Sequence, residues 1–265
     1  IRPKATTTSS SQPRAPAAAA TGPRSGQKGV RAWYFDGVGR ARTDVRATWC
    51  YTWAADRGKI TMPAGVEFVP MIWGADSVNQ TNLSRARSQG TVLLGFNEPD
   101  LGAQANLTAA RALELWPQLV ATGMRLGSPS VAYGADTPGG WLDQFMTGAR
   151  SRGYRVDFIT MHWYGSDFSS AATGQLKRYL QATYDRYHLP IWLTEYALMK
   201  FGPTVFPTQQ QQAAFATAST AMLESLPYVE RYAWFALPVA KAGDTGLYDT
   251  AAKATTVGAA YRAAG

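Results

Sequence analysis

The rhythm of apolar and polar positions changes near residue 28. From there on, short runs of apolar and β-prone residues recur: 30–34 (VRAWY), 48–53 (TWCYTW), 66–73 (VEFVPMIW), 91–97 (TVLLGFN), 126–131 (LGSPSV), 157–163 (DFITMHW), 190–195 (PIWLTE) and 231–236 (RYAWFA). Each has the length and composition of a strand. Most are separated by stretches with helical spacing. Ala109, Leu113, Trp116 and Val120 share one face of a helix over 108–121, with Thr108 as its N-cap. Thr208 followed by Gln211 is a capping-box signature that opens a helix over 209–225. Further helices are expected over 141–150, 174–187 and 251–263. Eight strands alternating with helices, with no second zone of composition, predict an α/β protein folded as a single (β/α)8 TIM barrel. Only residues 36–46 part the first two strands, so the first helix is expected to be short or missing.

The stretch before these strands reads differently. Residues 1–27 are rich in Ala, Thr, Ser, Pro and Arg and nearly devoid of large apolar side chains. Such a segment buries too little surface to offset its ordering entropy. It is expected to be a tail or linker of the kind found on secreted proteins, leaving 28–265 as the barrel. The tail also alters the meaning of the charge. The chain carries +8, but Arg2, Lys4, Arg14, Arg24, Lys28 and Arg31 all precede the first acid, Asp36, leaving 20 basic residues against 18 acidic ones. From residue 32 onward the chain is nearly neutral, so no nucleic-acid partner is expected. No apolar run approaches the roughly 20 residues that span a bilayer, so no membrane partner is expected either. A lone cysteine, Cys50, excludes an internal disulfide, and two histidines exclude a three-histidine zinc site. No metal is expected, and a monomer suffices.

In a parallel barrel the chemistry sits at the C-terminal ends of the strands. That rule sorts the acids. Glu67, Asp157 and Glu230 come at or just before strand beginnings, on the structural face. Glu98, in GFNEPD (95–100), and Glu195, in WLTEYA (192–197), close the fourth and seventh strands on the functional face. Two carboxylates facing each other across a barrel mouth suit glycoside hydrolysis, one giving a proton and the other attacking or activating water. Either glutamate alone would read as a strand end paired with an arginine; the two together point to catalysis.

These motifs, with MHWYG (161–165), FVPMIWG (68–74) and TGLYD (245–249), resemble glycoside hydrolase family 128, the endo-β-1,3-glucanases, over residues 28–265. The resemblance implies Glu98 as general acid/base, Glu195 as nucleophile, and Asn97 as a partner for the 2-hydroxyl of the sugar being cleaved. It implies a β-glucan substrate and no cofactor.

The tryptophans add to this picture. Trp33, Trp53, Trp73, Trp163 and Trp234 fall at or near C-terminal strand ends, whereas Trp49, Trp116, Trp141 and Trp192 do not. Aromatic rings on a rim suit the C–H faces of sugars, and core packing is the plain alternative for any one of them. Trp163 and Trp234 flank the strand of Glu195 and are the first candidates. His162 and Tyr164 point away from Trp163 on a regular strand, so only one of these two sets enters the mouth. Tyr164 is placed to donate to Glu195. No G-x-S-x-G elbow, P-loop or dinucleotide fingerprint occurs. KAGDTG (241–246), after the eighth strand, is a conceivable phosphate loop but reads more simply as a plain one. The expected function is retaining endo-hydrolysis of β-1,3-glucan. The rivals are the same machinery on another β-glucan linkage, and a barrel that binds glucan without cutting it.

Overall fold

The computed structural model describes residues 26–265. Most of the expected tail, residues 1–25, lies outside the described residues. Gln27 corrects the boundary: it is buried in the fold, its side-chain amide donating to the Val229 carbonyl at 2.8 Å and its own carbonyl accepting from Trp49 Nε1 at 3.0 Å.

The strands are β1 Lys28–Arg31, β2 Trp49–Tyr51, β3 Glu67–Phe68, β4 Val92–Leu93, β5 Arg125–Leu126, β6 Ile159–Gly165, β7 Ile191–Leu198 and β8 Val229–Trp234. The helices are α1 Val38–Asp44, α2 Gln80–Gln89, α3 Ala109–Val120, α4 Trp141–Ser151, α5 Ala172–Tyr187, α6 Gln209–Ser225 and α7 Thr256–Ala263. Six strands form one parallel run in the order β3-β2-β1-β8-β7-β6, and β4 pairs with β5. Parallel bridges at Met71–Leu94 on one side and Gly127–Phe158 and Val131–Met161 on the other join these runs, so the eight strands close into a barrel. The third to fifth strands are shorter than the apolar runs predicted. Pro70 and Pro129 lack the N–H that a continuous ladder needs, although Leu94 N still reaches the Pro70 carbonyl and Ser130 N that of Phe96.

The first helix is short, as expected. Thr108 and Thr208 cap α3 and α6 through their side chains, and Gln211 completes the capping box. Helix α2 was not among the predicted elements. It is polar throughout apart from buried Leu83 and Ala86, so its periodicity is faint, and Asn79 caps it by accepting from Asn82 N. No helix among the described residues is long and apolar enough to cross a membrane.

The barrel interior is filled by a few large rings. Trp49, Tyr51, Phe158 and Trp192 pack there with Val69, Met71, Val92, Leu94 and Ala233. Glycine makes the room. A Cβ on Gly127 would lie 2.6 Å from the Phe158 ring, and one on Gly29 would collide with the Trp49 indole. Ion pairs close the N-terminal end. Arg125 holds Glu230 through two bonds of 2.8 and 2.6 Å, and Arg231 reaches Glu67 at 2.5 Å. Asp157 accepts from Leu126 N at 2.7 Å and pairs with Arg155. All three acids expected on the structural face are there.

Burial works against the charge of Glu230, but the hydrogen bonds and charge of Arg125, with Trp192 Nε1, outweigh it and hold the carboxyl below its ordinary 4.5. A depressed value contributes stability above the unfolded pKa, and that contribution is lost as pH falls through the folded one. Glu230→Gln is therefore expected to lower stability at pH 7 by about 1 kcal/mol. In urea melts the gap to the unaltered protein should narrow as pH drops below 4.5.

Candidate active site

Which face each strand end shows follows from its alternation. Phe158, just ahead of β6, and Thr160, His162 and Tyr164 on it point inward, while Ile159, Met161 and Trp163 pack outward against the helices. On the second strand Trp49, Tyr51 and Trp53 share the inward face, and on the eighth Arg231, Ala233 and Phe235 do. Strand β7 breaks the rule. Trp192 lies in the interior and Tyr196 outside it, so strict alternation would turn Glu195 outward. The register with β6 shifts between Met161–Leu193 and His162–Glu195, and that with β8 shifts over the same residues. This bulge returns Glu195 to the mouth, opposite His162.

Both glutamates line one cleft of about 390 Å³ together with Arg31, Trp53, Trp73, Asn97, Gln104, Tyr164, Met199, Phe201 and Phe235. Glu195 accepts from Tyr51 Oη at 3.0 Å and Trp53 Nε1 at 2.8 Å on one oxygen, and from Tyr164 Oη at 2.6 Å on the other. Burial, then the charge of Glu195, pushes both phenols well above their ordinary value, so they remain donors. Glu98 meets His162 Nδ1 at 2.9 Å, and the same nitrogen lies 3.8 Å from Glu195. Burial opposes a charge on His162. The charge of Glu195 and the hydrogen bond and charge of Glu98 outweigh it, and its pKa lies above the ordinary value. Its Nε2 has no partner. Glu98 has a left-handed backbone, φ 42°, with its N–H on the Ser130 carbonyl at 2.7 Å. A non-glycine residue there costs about 1 kcal/mol or more, and this one sits at the site. Asp100 fastens the adjoining loop by accepting from Ala132 N at 3.0 Å.

Asn97 donates to Gln104 Oε1 at 3.3 Å, while its own Oδ1 is buried with no partner. Trp53, Trp73 and Tyr164 line the cleft as expected. Three other candidates lie away from the cleft surface. Trp234 is fully buried, its ring against Tyr196 and Tyr261 and its Nε1 bonded to the Thr245 carbonyl, because its strand turns residues 233 and 235 inward. Trp163 faces α6, stacked on Phe215 at 5.6 Å, and lines a second recess beyond β6 instead of the glutamates' cleft. His162 lies beneath the glutamates with no exposed side-chain surface, where it supports Glu98. Trp33 lines a separate, smaller recess that shares Phe235 and Met199 with the cleft. The loop 241–246 leaves no anion nest: Asp244 itself accepts from the N–H groups of Ala240, Lys241 and Gly246.

Sequence reading missed Arg31, Tyr51 and Phe235. Strand parity would have found them, since each lies two residues from an inward-facing position. The Arg31 guanidinium sits among the Trp53, Trp33 and Phe235 rings. Burial brings it down to about 10, opposed by the charge of Glu195, so it stays cationic beside that carboxylate.

Paired carboxylates at the C-terminal ends of the fourth and seventh strands, in an aromatic cleft on a closed barrel, define a glycosyl hydrolase. The family model for the glycosyl hydrolase catalytic core matches residues 36–261. The chain belongs to glycoside hydrolase family 128. An endo-β-1,3-glucanase of that family, subgroup I, from Amycolatopsis mediterranei is 61% identical, with a TM-score of 0.88 over 91% of this chain and 100% of its own. It has been solved with laminaripentaose and laminarihexaose bound to variants at one glutamate, and with laminaritriose and laminaribiose bound to a variant at another. Those two glutamates stand 97 positions apart, as Glu98 and Glu195 do. A subgroup III curdlan-specific exo-β-1,3-glucanase from Blastomyces gilchristii is 28% identical, with a TM-score of 0.70 over 91% of this chain and 99% of its own. Alkali-sensitive linkage protein 1 of Schizosaccharomyces pombe is 32% identical over 197 residues, 71% of this chain and 34% of that protein. The chain thus spans about a third of the length of this curated relative.

Removing one donor from Glu195 isolates the contribution of its cradle. A hydrogen bond to a charged group contributes about 1.5–3 kcal/mol. Tyr164→Phe keeps the ring and is expected to lower kcat/KM about 10- to 100-fold. Its thermal midpoint should stay close to that of the unaltered protein.

Proposed function

We propose that the chain is a retaining endo-β-1,3-glucanase with Glu195 as nucleophile and Glu98 as general acid and base. The observation that carries this reading is the carboxylate pair: an oxygen of Glu98 and an oxygen of Glu195 lie within 4.8 Å of each other. Oxygens that approach this closely favour direct attack on the sugar over the wider spacing, about 6.5–9.5 Å between carboxyls, that admits a water. The donors around Glu195 fit an acceptor-only carboxylate poised to attack.

In the first step a Glu195 oxygen bonds to the anomeric carbon as the glycosidic C–O bond breaks, and Glu98 gives its proton to the departing oxygen. In the second, Glu98 takes a proton from water while the water oxygen bonds to the anomeric carbon and frees Glu195. The unpartnered Oδ1 of Asn97 suits a hydroxyl donor on the sugar, the 2-hydroxyl in the family resemblance. Trp53 and Trp73 offer apolar faces to the ring. Every group named comes from one chain, so a monomer suffices. The 61% identity to an enzyme that binds laminari-oligosaccharides supports β-1,3-linked glucose as the substrate. The Ala-, Thr- and Pro-rich stretch ahead of the barrel supports action outside the cell, in polysaccharide degradation.

Hydrolysis of laminarin, compared with β-1,4- and mixed-linkage glucans, tests the reading. Glu98→Ala should lose about 10²–10⁴-fold in kcat, and Glu195→Gln at least as much. Proton NMR should show the β-anomer as the first product, and early products should span many chain lengths. Near-normal activity of either variant, or an initial α-anomer, would refute the assignment.

A further inference from the structure

A second recess of about 410 Å³ opens on the same face, across β6 from the cleft. Tyr164 forms part of the wall of both cavities. Its far side is Tyr133, which is 78% exposed, the most exposed of the large apolar side chains among the described residues. An aromatic ring left in water on a loop tip is usually mobile, but this one is braced. It stacks on Tyr179 at 5.9 Å with the planes 12° apart, and the Tyr179 hydroxyl accepts from Ala135 N at 2.8 Å. Tyr187 Oη donates to the Ala135 carbonyl at 3.0 Å, and Arg186 Nε to that of Asp136 at 2.9 Å. The ring is thus presented to solvent on a fixed loop, at little further entropic cost to a ligand that stacks on it.

Two charged groups of this recess are uncommitted, whereas Gln175 is bonded to Asp167 at 2.6 Å. Asp136 and Arg178 both line it, and among the described residues neither side chain forms an ion pair or a hydrogen bond within the protein. An exposed ring flanked by one free acceptor and one free planar donor suits a sugar, which offers a C–H face to the ring and vicinal hydroxyls to the charged groups.

We propose that this recess is a carbohydrate-binding site for a distal segment of the β-glucan chain whose scissile bond lies in the cleft, with Tyr133 as its platform and Arg178 and Asp136 as its hydroxyl partners. The inference rests on the function proposed above and adds a second point of attachment to it. Because the cavities share Tyr164, one polymer can occupy both. The site selects chains long enough to pass over Tyr164 and leaves the reacting bond untouched.

Tyr133 and Arg178 are exposed, so Tyr133→Ala and Arg178→Ala should fold normally. Kinetics on laminari-oligosaccharides of increasing length and on laminarin would read the effect. The expected result is a rise in KM of about five- to tenfold on laminarin and the longer oligosaccharides, with kcat within about twofold and KM for the shortest substrates unchanged. In parallel, Glu195→Gln should bind insoluble β-1,3-glucan, and adding Tyr133→Ala should weaken that binding by a similar factor. Loss of binding to the insoluble glucan with no length dependence in KM would mean a separate chain occupies the recess, and would overturn the single-chain proposal. Variants indistinguishable from the parent at every length and on the solid would overturn the site altogether while the glucanase reading stands. An unaltered protein that cuts no β-1,3-glucan would bring down both.

Discussion

The site depends on how one carboxylate is held. Glu195 accepts from Tyr51, Trp53 and Tyr164, side chains carried by the second and sixth strands and the segment just beyond the second. Each donor needs its strand at the right height, so the cradle forms only when the barrel closes. The bulge in β7 is the other half of this constraint. It gives up regular pairing for one residue, and in return Glu195 turns into the mouth and meets His162, which in turn holds Glu98. One irregularity thereby couples the two carboxylates through a single imidazole nitrogen.

The interior below is built to hold that cradle at a fixed height. Trp49, Tyr51 and Trp53 rise along one face of the second strand, with Trp49 and Tyr51 stacked at 6.1 Å and Tyr51 and Trp53 edge-on at 6.0 Å. Trp192 and Phe158, 4.4 Å apart, fill the opposite side, with glycines where a Cβ would collide. Large rings in a close-packed interior resist displacement, because any shift opens a void or forces an overlap. The ion pairs of Arg125 with Glu230 and Arg231 with Glu67 close the far end. Rigidity in this column translates into fixed donors at the top, and fixed donors favour charge development without reorganisation.

Much of this was legible in the sequence, for reasons that also explain what was not. Eight apolar runs and the ends of the fourth and seventh could be located because strand ends are punctuated by Asn97-Glu98-Pro99 and by Glu195. Position along a strand does not place a tryptophan without its parity. Trp163 and Trp234 lie at the correct height but face the helices, whereas Tyr51 and Phe235, on the inward parity, reach the site. Parity alone would in turn have misplaced Glu195, because the bulge at Thr194–Glu195 leaves no mark in the residue types. Helix α2 leaves little trace in the sequence, because only Leu83 and Ala86 of its residues are buried. The recess under Tyr133 has no sequence motif, since its residues come from one loop, a strand end and a helix.

The proposed chemistry requires Glu195, and not Glu98, to form the bond to the sugar. The most direct measurement is to trap that bond. A 2-fluoro-substituted β-1,3-linked glucosyl fluoride slows both steps but keeps a good leaving group, so the glycosyl-enzyme should accumulate. Mass spectrometry of the digested protein should then find a single fluoro-oligosaccharide, the reagent less its anomeric fluoride, on the peptide carrying Glu195. A label on the Glu98 peptide would reverse the roles, and a protein that turns the reagent over without any labelled peptide would contradict a covalent intermediate.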